Sequence, residues 1–268
     1  MKVVIPGFNL LLTANSGQSF RFNQRKDGAF SLIAGNRGLK IRELEDSLFE
    51  FSCSEEAFLT FWQDYFDLKR DYSGILDRVK DADDYLKSAA EYAGGVRILR
   101  QEPFETLIAF IISQRKSIPS IKACVENLSK MFGEPLSGFD YAFPSPEALA
   151  NADEKALKAC GLGYRVPYVK KTAQMVDSGE VDLISISLLD DNALEEQLMR
   201  FPGVGKKVAS CVMLFSYARM EVFPVDTWIS KVLDKEYEDG FPFDRYQGIT
   251  GILQQYLFCY ARHLAGRA

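Results

Sequence analysis

The segment Phe201-Pro202-Gly203-Val204-Gly205-Lys206-Lys207-Val208-Ala209-Ser210-Cys211 decides the fold of this chain. A helical pattern over 195–200 stops, two glycines one residue apart make a tight turn, and a second helical pattern begins. Glycine permits the positive φ and the close backbone approach that such a turn needs. The turn also aims the first N–H groups of the second helix outward, where a phosphate can sit. Val208, Cys211, Val212 and Phe215 share one face of that helix, and Ala209 is small enough to let its neighbour approach. The pattern reads as a helix-hairpin-helix over about 195–219, with Gly203, Gly205 and the Val208 backbone facing DNA. On the two glycines alone, a plain packing corner between helices reads equally well.

Helical spacing extends outward from this point in both directions. Phe104, Leu107, Ile108, Ile111 and Ile112 fall at i, i+3, i+4, i+7 and i+8, behind Pro103 at a first helical turn. Further helices are expected over 117–131, 153–160, 166–178, 227–235 and 245–262. The first 95 or so residues read differently. Short β-prone stretches at 19–23, 30–33 and 48–52 are separated by turn signals at Lys26-Asp27-Gly28 and Gly35-Asn36-Arg37-Gly38. Ser54-Glu55-Glu56 then opens a helical pattern over 57–67. The expected fold class is α+β: an antiparallel sheet domain with flanking helices over 1–95, then a mainly helical domain over 96–268.

Composition excludes several classes. With 268 residues, 47% hydrophobic and 26% charged, the chain has a folding composition and enough length for a core without staples. The five cysteines include no C-x-x-C, and there is one histidine, His263, so zinc ribbons, thioredoxin-type sites and Cys-ligated iron–sulfur clusters lack their ligands. No apolar run approaches the ~18 residues of a membrane span. The amino terminus carries no signal-peptide pattern, and this reading points to a cytoplasmic, prokaryotic protein.

The net charge of −5, from 32 Lys+Arg and 37 Asp+Glu, argues weakly against a nucleic-acid partner. Its distribution says more. Seven acids and no base lie between Asp177 and Glu196, whereas four bases and no acid lie between Gln197 and Met220. Lys155, Lys158, Arg165, Lys170 and Lys171 form a second basic run, and Arg115-Lys116 a third. Any one run reads as an ordinary solvated helix face. Their coincidence with the hairpin favours DNA.

Lys207 lies in the first turn of the second hairpin helix, beside Lys206. Both the helix dipole and the neighbouring cation favour a neutral amine, the form that attacks carbon to make a Schiff base. A phosphate contact is the plainer reading of a lysine at this place. Asp226, in Phe223-Pro224-Val225-Asp226-Thr227-Trp228, precedes a helical pattern and reads as an N-cap. A carboxylate there could also stabilise an oxocarbenium-like sugar as its base departs.

These residues together resemble the helix-hairpin-helix–GPD superfamily of base-excision DNA glycosylases, and within it the 8-oxoguanine DNA glycosylase/AP lyase family. Ser16-Gly17-Gln18-Ser19-Phe20-Arg21 resembles that family's amino-terminal motif. Leu99-Arg100-Gln101-Glu102-Pro103 with Phe110-Ile111-Ile112-Ser113 resembles its first core helix, Gly161-Leu162-Gly163-Tyr164-Arg165 its DNA-wedge loop, and 251–258 its last helix. The resemblance implies excision of 8-oxoguanine from duplex DNA, with Lys207 as nucleophile and Asp226 as electrostatic stabiliser, followed by β-elimination at the 3′ phosphate. It places the everted base against Gly17, whose carbonyl reads the N7–H, and against Cys211, Gln254 and Phe258. Lys207 and Cys211 are i, i+4, as are Gln254 and Phe258, so each pair shares a helix face. Without the resemblance, Phe258 reads as core and Gln254 as surface.

The departures from the family pattern carry their own expectation. Members that read cytosine opposite the lesion carry Asn where this chain has Arg115, and Arg where it has Ser120, which predicts relaxed opposite-base selectivity. Arg115 is expected to fill the gap left by the base, Tyr164 and Arg165 to wedge the partner strand, and Trp228 stands where a His often contacts phosphate. No cofactor is implied, although the hairpin carbonyls could hold a monovalent cation. The expected partner is duplex DNA containing oxidised guanine, bound by a nucleoid-associated monomer. The alternatives are a superfamily glycosylase for other damaged bases and a non-enzymatic DNA-binding module.

Overall fold

A computed structural model describes residues 1–79 and 81–267. Strands β1 (Lys2–Val4), β2 (Phe22–Gln24), β3 (Phe30–Ala34), β4 (Arg37–Glu45) and β5 (Leu48–Phe51) form one antiparallel sheet in the order β1-β5-β4-β3-β2. Residues 2.0 apart in period face one side of a strand, and the buried members are Phe30 and Leu32 of β3, Leu39 and Ile41 of β4, and Phe49 and Phe51 of β5. The Lys26–Gly28 and Gly35–Gly38 signals lie at the β2–β3 and β3–β4 turns. Ser54 caps the following helix, its hydroxyl accepting from the Ala57 N–H at 3.1 Å. That helix packs Phe58, Trp62, Tyr65 and Phe66 onto the sheet as a mesh of edge-on rings.

The remaining helices surround a second core. Pro103–Ser113 is buried on nearly every face, with Phe104, Leu107, Ile108, Ile111 and Ile112 all in the core. It packs on Lys206–Phe215, and the last helix, Thr250–Arg267, packs on Asp84–Ala93. The two cores interleave along the chain, and Phe20 belongs to the helical one. Ile75, Val79, Leu86 and Ala90 already belong to the helical cluster, and only Leu99 returns to the sheet cluster.

One glutamine fastens the amino-terminal motif to this body. Gln18 is fully buried; its Nε2 donates to Ser16 Oγ and to the Arg97 carbonyl, each at 2.8 Å, and its Oε1 accepts from the Leu99 N–H at 2.8 Å. Gln101 continues the tie, donating from Nε2 to the Gln18 carbonyl and from its backbone N–H to the Phe215 carbonyl, both at 2.7 Å. The loop carrying Gly17 is thereby bonded to the end of the second hairpin helix.

Candidate active site

The hairpin forms as its sequence requires. Asp191–Met199 is the first helix and Lys206–Phe215 the second. Gly203 has φ +78°, and a Cβ there would lie 2.6 Å from the Tyr168 ring, so both conformation and space demand glycine. Gly205 takes the N-cap position without a side-chain acceptor, and the exposed turn leaves the first helical N–H groups open to an anion. Val208 contributes only its backbone to this face, since its side chain is in the core. Of the turn carbonyls named as cation ligands, that of Gly203 accepts the Gln114 Nε2 at 3.0 Å.

Lys207, Cys211 and Asp226 line one cavity of about 910 Å³. Lys207 Nζ rests 5.0 Å from the centroid of the Phe110 ring, which is itself stacked on Phe215 at 5.6 Å. Burial pushes the Cys211 thiol up from its ordinary range, opposed by Lys207 and reinforced by Asp226. The three side chains therefore share one electrostatic neighbourhood, and the sulfur in it is a neutral thiol. Asp226 serves as both cap and cavity wall: its Oδ1 accepts from the N–H groups of Trp228 and Ile229, each at 2.9 Å. Two backbone donors fix the carboxylate's orientation.

The same cavity is also lined by residues from the two far ends of the chain. Gly17, at φ +76°, lies where a Cβ would be 3.3 Å from both Ile118 Cδ1 and Phe258 Cε1. Phe258 and Gln254 project from the last helix into the same cavity. Gln254 is buried rather than a surface residue, with its Nε2 donating to the Pro224 carbonyl at 2.8 Å. This bond holds the Pro224–Asp226 segment against the last helix. The Arg262 guanidinium sits 5.4 Å from the Phe258 ring centroid and donates to the Asn15 carbonyl at 2.9 Å.

The residues expected to touch DNA divide. Arg115 is exposed at the cavity rim and holds φ +52°, a left-handed conformation unusual for its type. Ser120 is exposed and shares a hydrogen bond with Ser117 Oγ at 2.9 Å. Trp228 lines the cavity mouth, and Tyr164 is exposed at 56%. Arg165 does not stand beside Tyr164 as a wedge. It is buried at 4% exposure, its guanidinium donating to the Leu162 and Gln114 carbonyls and stacking under the Tyr164 ring at 4.3 Å. A guanidinium so bonded supports the wedge loop from below, leaving Tyr164 as the projecting side chain.

Sequence reasoning missed Gln114, which joins the three loops around the rim. Its carbonyl receives Arg165 from the wedge loop, and its Nε2 reaches the hairpin at Gly203. Lys116 adds a bond from its Nζ to the Gly161 carbonyl at 3.0 Å. No periodicity marks Gln114, because the bonds that tie the rim join it to Gly203 and Arg165, residues distant in sequence. Among the described residues, no group of three His, Cys, Asp or Glu side chains could hold a metal ion, and no helix is long and apolar enough to cross a membrane.

Comparison with known proteins agrees with this geometry. A family profile described as 8-oxoguanine DNA glycosylase, N-terminal domain, matches residues 3–107, and one described as HhH-GPD superfamily base excision DNA repair protein matches 108–237. The fold superposes on MBOgg1, solved in complex with a low-affinity DNA ligand, with a TM-score of 0.93 and 37% identity over 98% of this chain and 96% of that one. It superposes on the Clostridium acetobutylicum 8-oxoguanine glycosylase/lyase, solved with DNA containing cytosine opposite the lesion, with a TM-score of 0.91 and 36% identity over 97% and 93%. A probable N-glycosylase/DNA lyase of Methanothermobacter thermautotrophicus is 26% identical over 98% of this chain and 96% of its own. With both profiles in chain order and a solved relative matched nearly end to end, the chain belongs to the 8-oxoguanine DNA glycosylase family of the helix-hairpin-helix–GPD superfamily.

Proposed function

We propose that this chain excises 8-oxoguanine from duplex DNA through a Schiff base on Lys207 and then nicks the strand by β-elimination. The observation that carries the reading is that Lys207 and Asp226 line a single cavity together with Gln254 and Phe258 of the last helix. In this scheme Lys207 Nζ forms a bond to C1′ of the everted nucleotide, and the N-glycosidic bond breaks with its electron pair leaving on the base. The base takes up a proton, and the amine loses one. Opening of the sugar ring gives the Schiff base, which acidifies the 2′ hydrogen so that the 3′ phosphate leaves. Asp226 stabilises positive charge on the sugar while it develops, from an orientation set by two backbone N–H groups. Phe258 supplies a stacking face, worth about 1–3 kcal/mol per base in comparable contacts.

Borohydride reduction during reaction with an 8-oxoguanine duplex tests the nucleophile. The wild type gives a covalent protein–DNA adduct. Lys207→Gln gives none, and its excision rate falls by at least about a thousandfold. Retention of the adduct in Lys207→Gln would overturn the assignment. The non-enzymatic reading is disfavoured because it assigns no role to a carboxylate and an amine placed across a cavity of this size.

The partner strand is read loosely in this proposal. Ser120 offers one short hydroxyl where cytosine-reading members carry a guanidinium, and the Arg165 fork is turned onto the Leu162 and Gln114 carbonyls. Excision rates opposite cytosine, adenine, guanine and thymine are expected to agree within about threefold, since the guanidinium expected at position 120 is missing. A preference for cytosine of thirtyfold or more would show that another side chain reads that base. The acting species is taken to be a monomer in the nucleoid, with no cofactor.

A further inference from the structure

Ser113-Gln114-Arg115-Lys116 forms a type II turn at the cavity rim. Gln114 has φ −57° and ψ 123°, Arg115 has φ +52°, and the Lys116 N–H donates to the Ser113 carbonyl at 3.1 Å. The third position of such a turn favours glycine or asparagine, and an arginine there is strained unless its surroundings hold it. Bonds on both sides do so. The peptide before Arg115 is fixed through the Gln114 carbonyl, which accepts the Arg165 guanidinium, while Gln114 Nε2 donates to the Gly203 carbonyl at 3.0 Å. The peptide after Arg115 is fixed by the turn bond, and Lys116 Nζ crosses to the Gly161 carbonyl at 3.0 Å. Peptide groups are planar, so fixing the two that flank a residue fixes both of its dihedrals. Lys116, half-buried, is thus engaged by a protein carbonyl, whereas Arg115 is left exposed at the rim.

We propose that Lys116 and Arg165 are positioning residues for Arg115. They preset the turn, so that the Arg115 guanidinium enters the gap left by an everted nucleotide without first having to order its backbone. This rests on the reading of the cavity as the pocket of an everted base. Arg165 serves the wedge loop at the same time, donating to the Leu162 carbonyl at 3.3 Å and lying 4.3 Å from the Tyr164 ring centroid. The gap-filling side chain and the wedge are therefore carried on one bonded frame. A segment ordered before it binds loses less freedom on binding, and the inserted state gains by that difference.

The test is a double-mutant cycle on the full chain, read as the fluorescence rise of a 2-aminopurine placed beside 8-oxoguanine in a duplex, which reports eversion. Lys116→Met keeps the length and removes the ammonium. Arg165→Lys keeps the charge and loses the fork that spans two carbonyls. Each is expected to slow eversion by about tenfold, and Arg115→Ala by at least as much. In the Arg115→Ala background the same two substitutions are expected to add less than about twofold, because no side chain is left to position. Equal slowing in both backgrounds would assign Lys116 and Arg165 to the scaffold or to direct DNA contact, and would overturn the proposal. So would an Arg115→Ala variant that everts the base as fast as wild type. Lys116 is half-buried at the rim, so its arm of the cycle stands even if Arg165→Lys fails to fold. A wild type that shows the cycle but yields no borohydride-trapped adduct would support the positioning and overturn the Schiff-base reading alone.

Discussion

Asp226 does two jobs that a single substitution can separate. Asn keeps a side-chain oxygen for the Trp228 and Ile229 N–H groups, and Asn ranks with Asp as an N-cap. Asp226→Asn is therefore expected to change stability by less than about 1 kcal/mol, the loss coming from the weaker interaction with the helix dipole. The charge assigned to the sugar in the proposed scheme is gone, so excision is expected to fall by about 100-fold or more. Thermal melting and single-turnover kinetics on the same preparation check both halves. A parallel collapse of melting temperature and rate would reduce Asp226 to a cap. The sequence alone read Asp226 as a cap compatible with a second role, and in the structure one oxygen caps while the side chain lines the cavity.

Helices were the most legible elements, since each buries a stripe that repeats at 3.6 residues. Those expected over 117–131 and 166–178 occur as Ile118–Phe132 and Val166–Asp177, and Pro103 begins its helix as read. The sheet was only partly legible. Three of its strands were read within a few residues, but β1 has only three residues and β4 carries Lys40, Arg42, Glu43 and Glu45 around just two buried positions. Six-residue Leu10–Asn15 forms one short turn of helix that no pattern of this length specifies. At the site, residues on regular elements were legible: Lys207 with Cys211, and Gln254 with Phe258, meet in one cavity because i, i+4 spacing fixes a shared face. The side chains that lock loops to one another were not. Gln18, Gln101 and Gln114 bond to backbone groups made adjacent only by the tertiary fold, and Arg165 was misplaced for the same reason.

The sheet and the helical body meet around a carboxylate whose titration belongs to the whole molecule. Glu105 accepts from the Gly35 N–H at 3.2 Å, and loss of water around it pushes its carboxyl from 4.5 up to about 7, with the Arg21 guanidinium opposing the rise. The folded state thus holds this proton more tightly than the unfolded chain. Stability from this group is complete below pH about 4.5 and is lost as pH rises toward about 7. Glu105→Gln keeps an acceptor for Gly35 and removes the titration. It is expected to be unchanged at pH 4.5 and more stable than wild type by about 3 kcal/mol at pH 8. Denaturant midpoints at the two pH values check this, and equal midpoints at pH 8 would show the carboxylate already neutralised by Arg21.

The cavity is walled by residues from Ser16 to Arg262, and Arg262 bonds to the Asn15 carbonyl, next to the first of them. A ribosome adding about 5–20 residues per second delivers the last part of that wall roughly ten to fifty seconds after the first. Until then the nascent chain has a lysine and an aspartate but no complete chamber in which to hold a nucleotide. Strand scission, a hazardous chemistry to leave half-assembled, is thereby withheld until the last helix has been made.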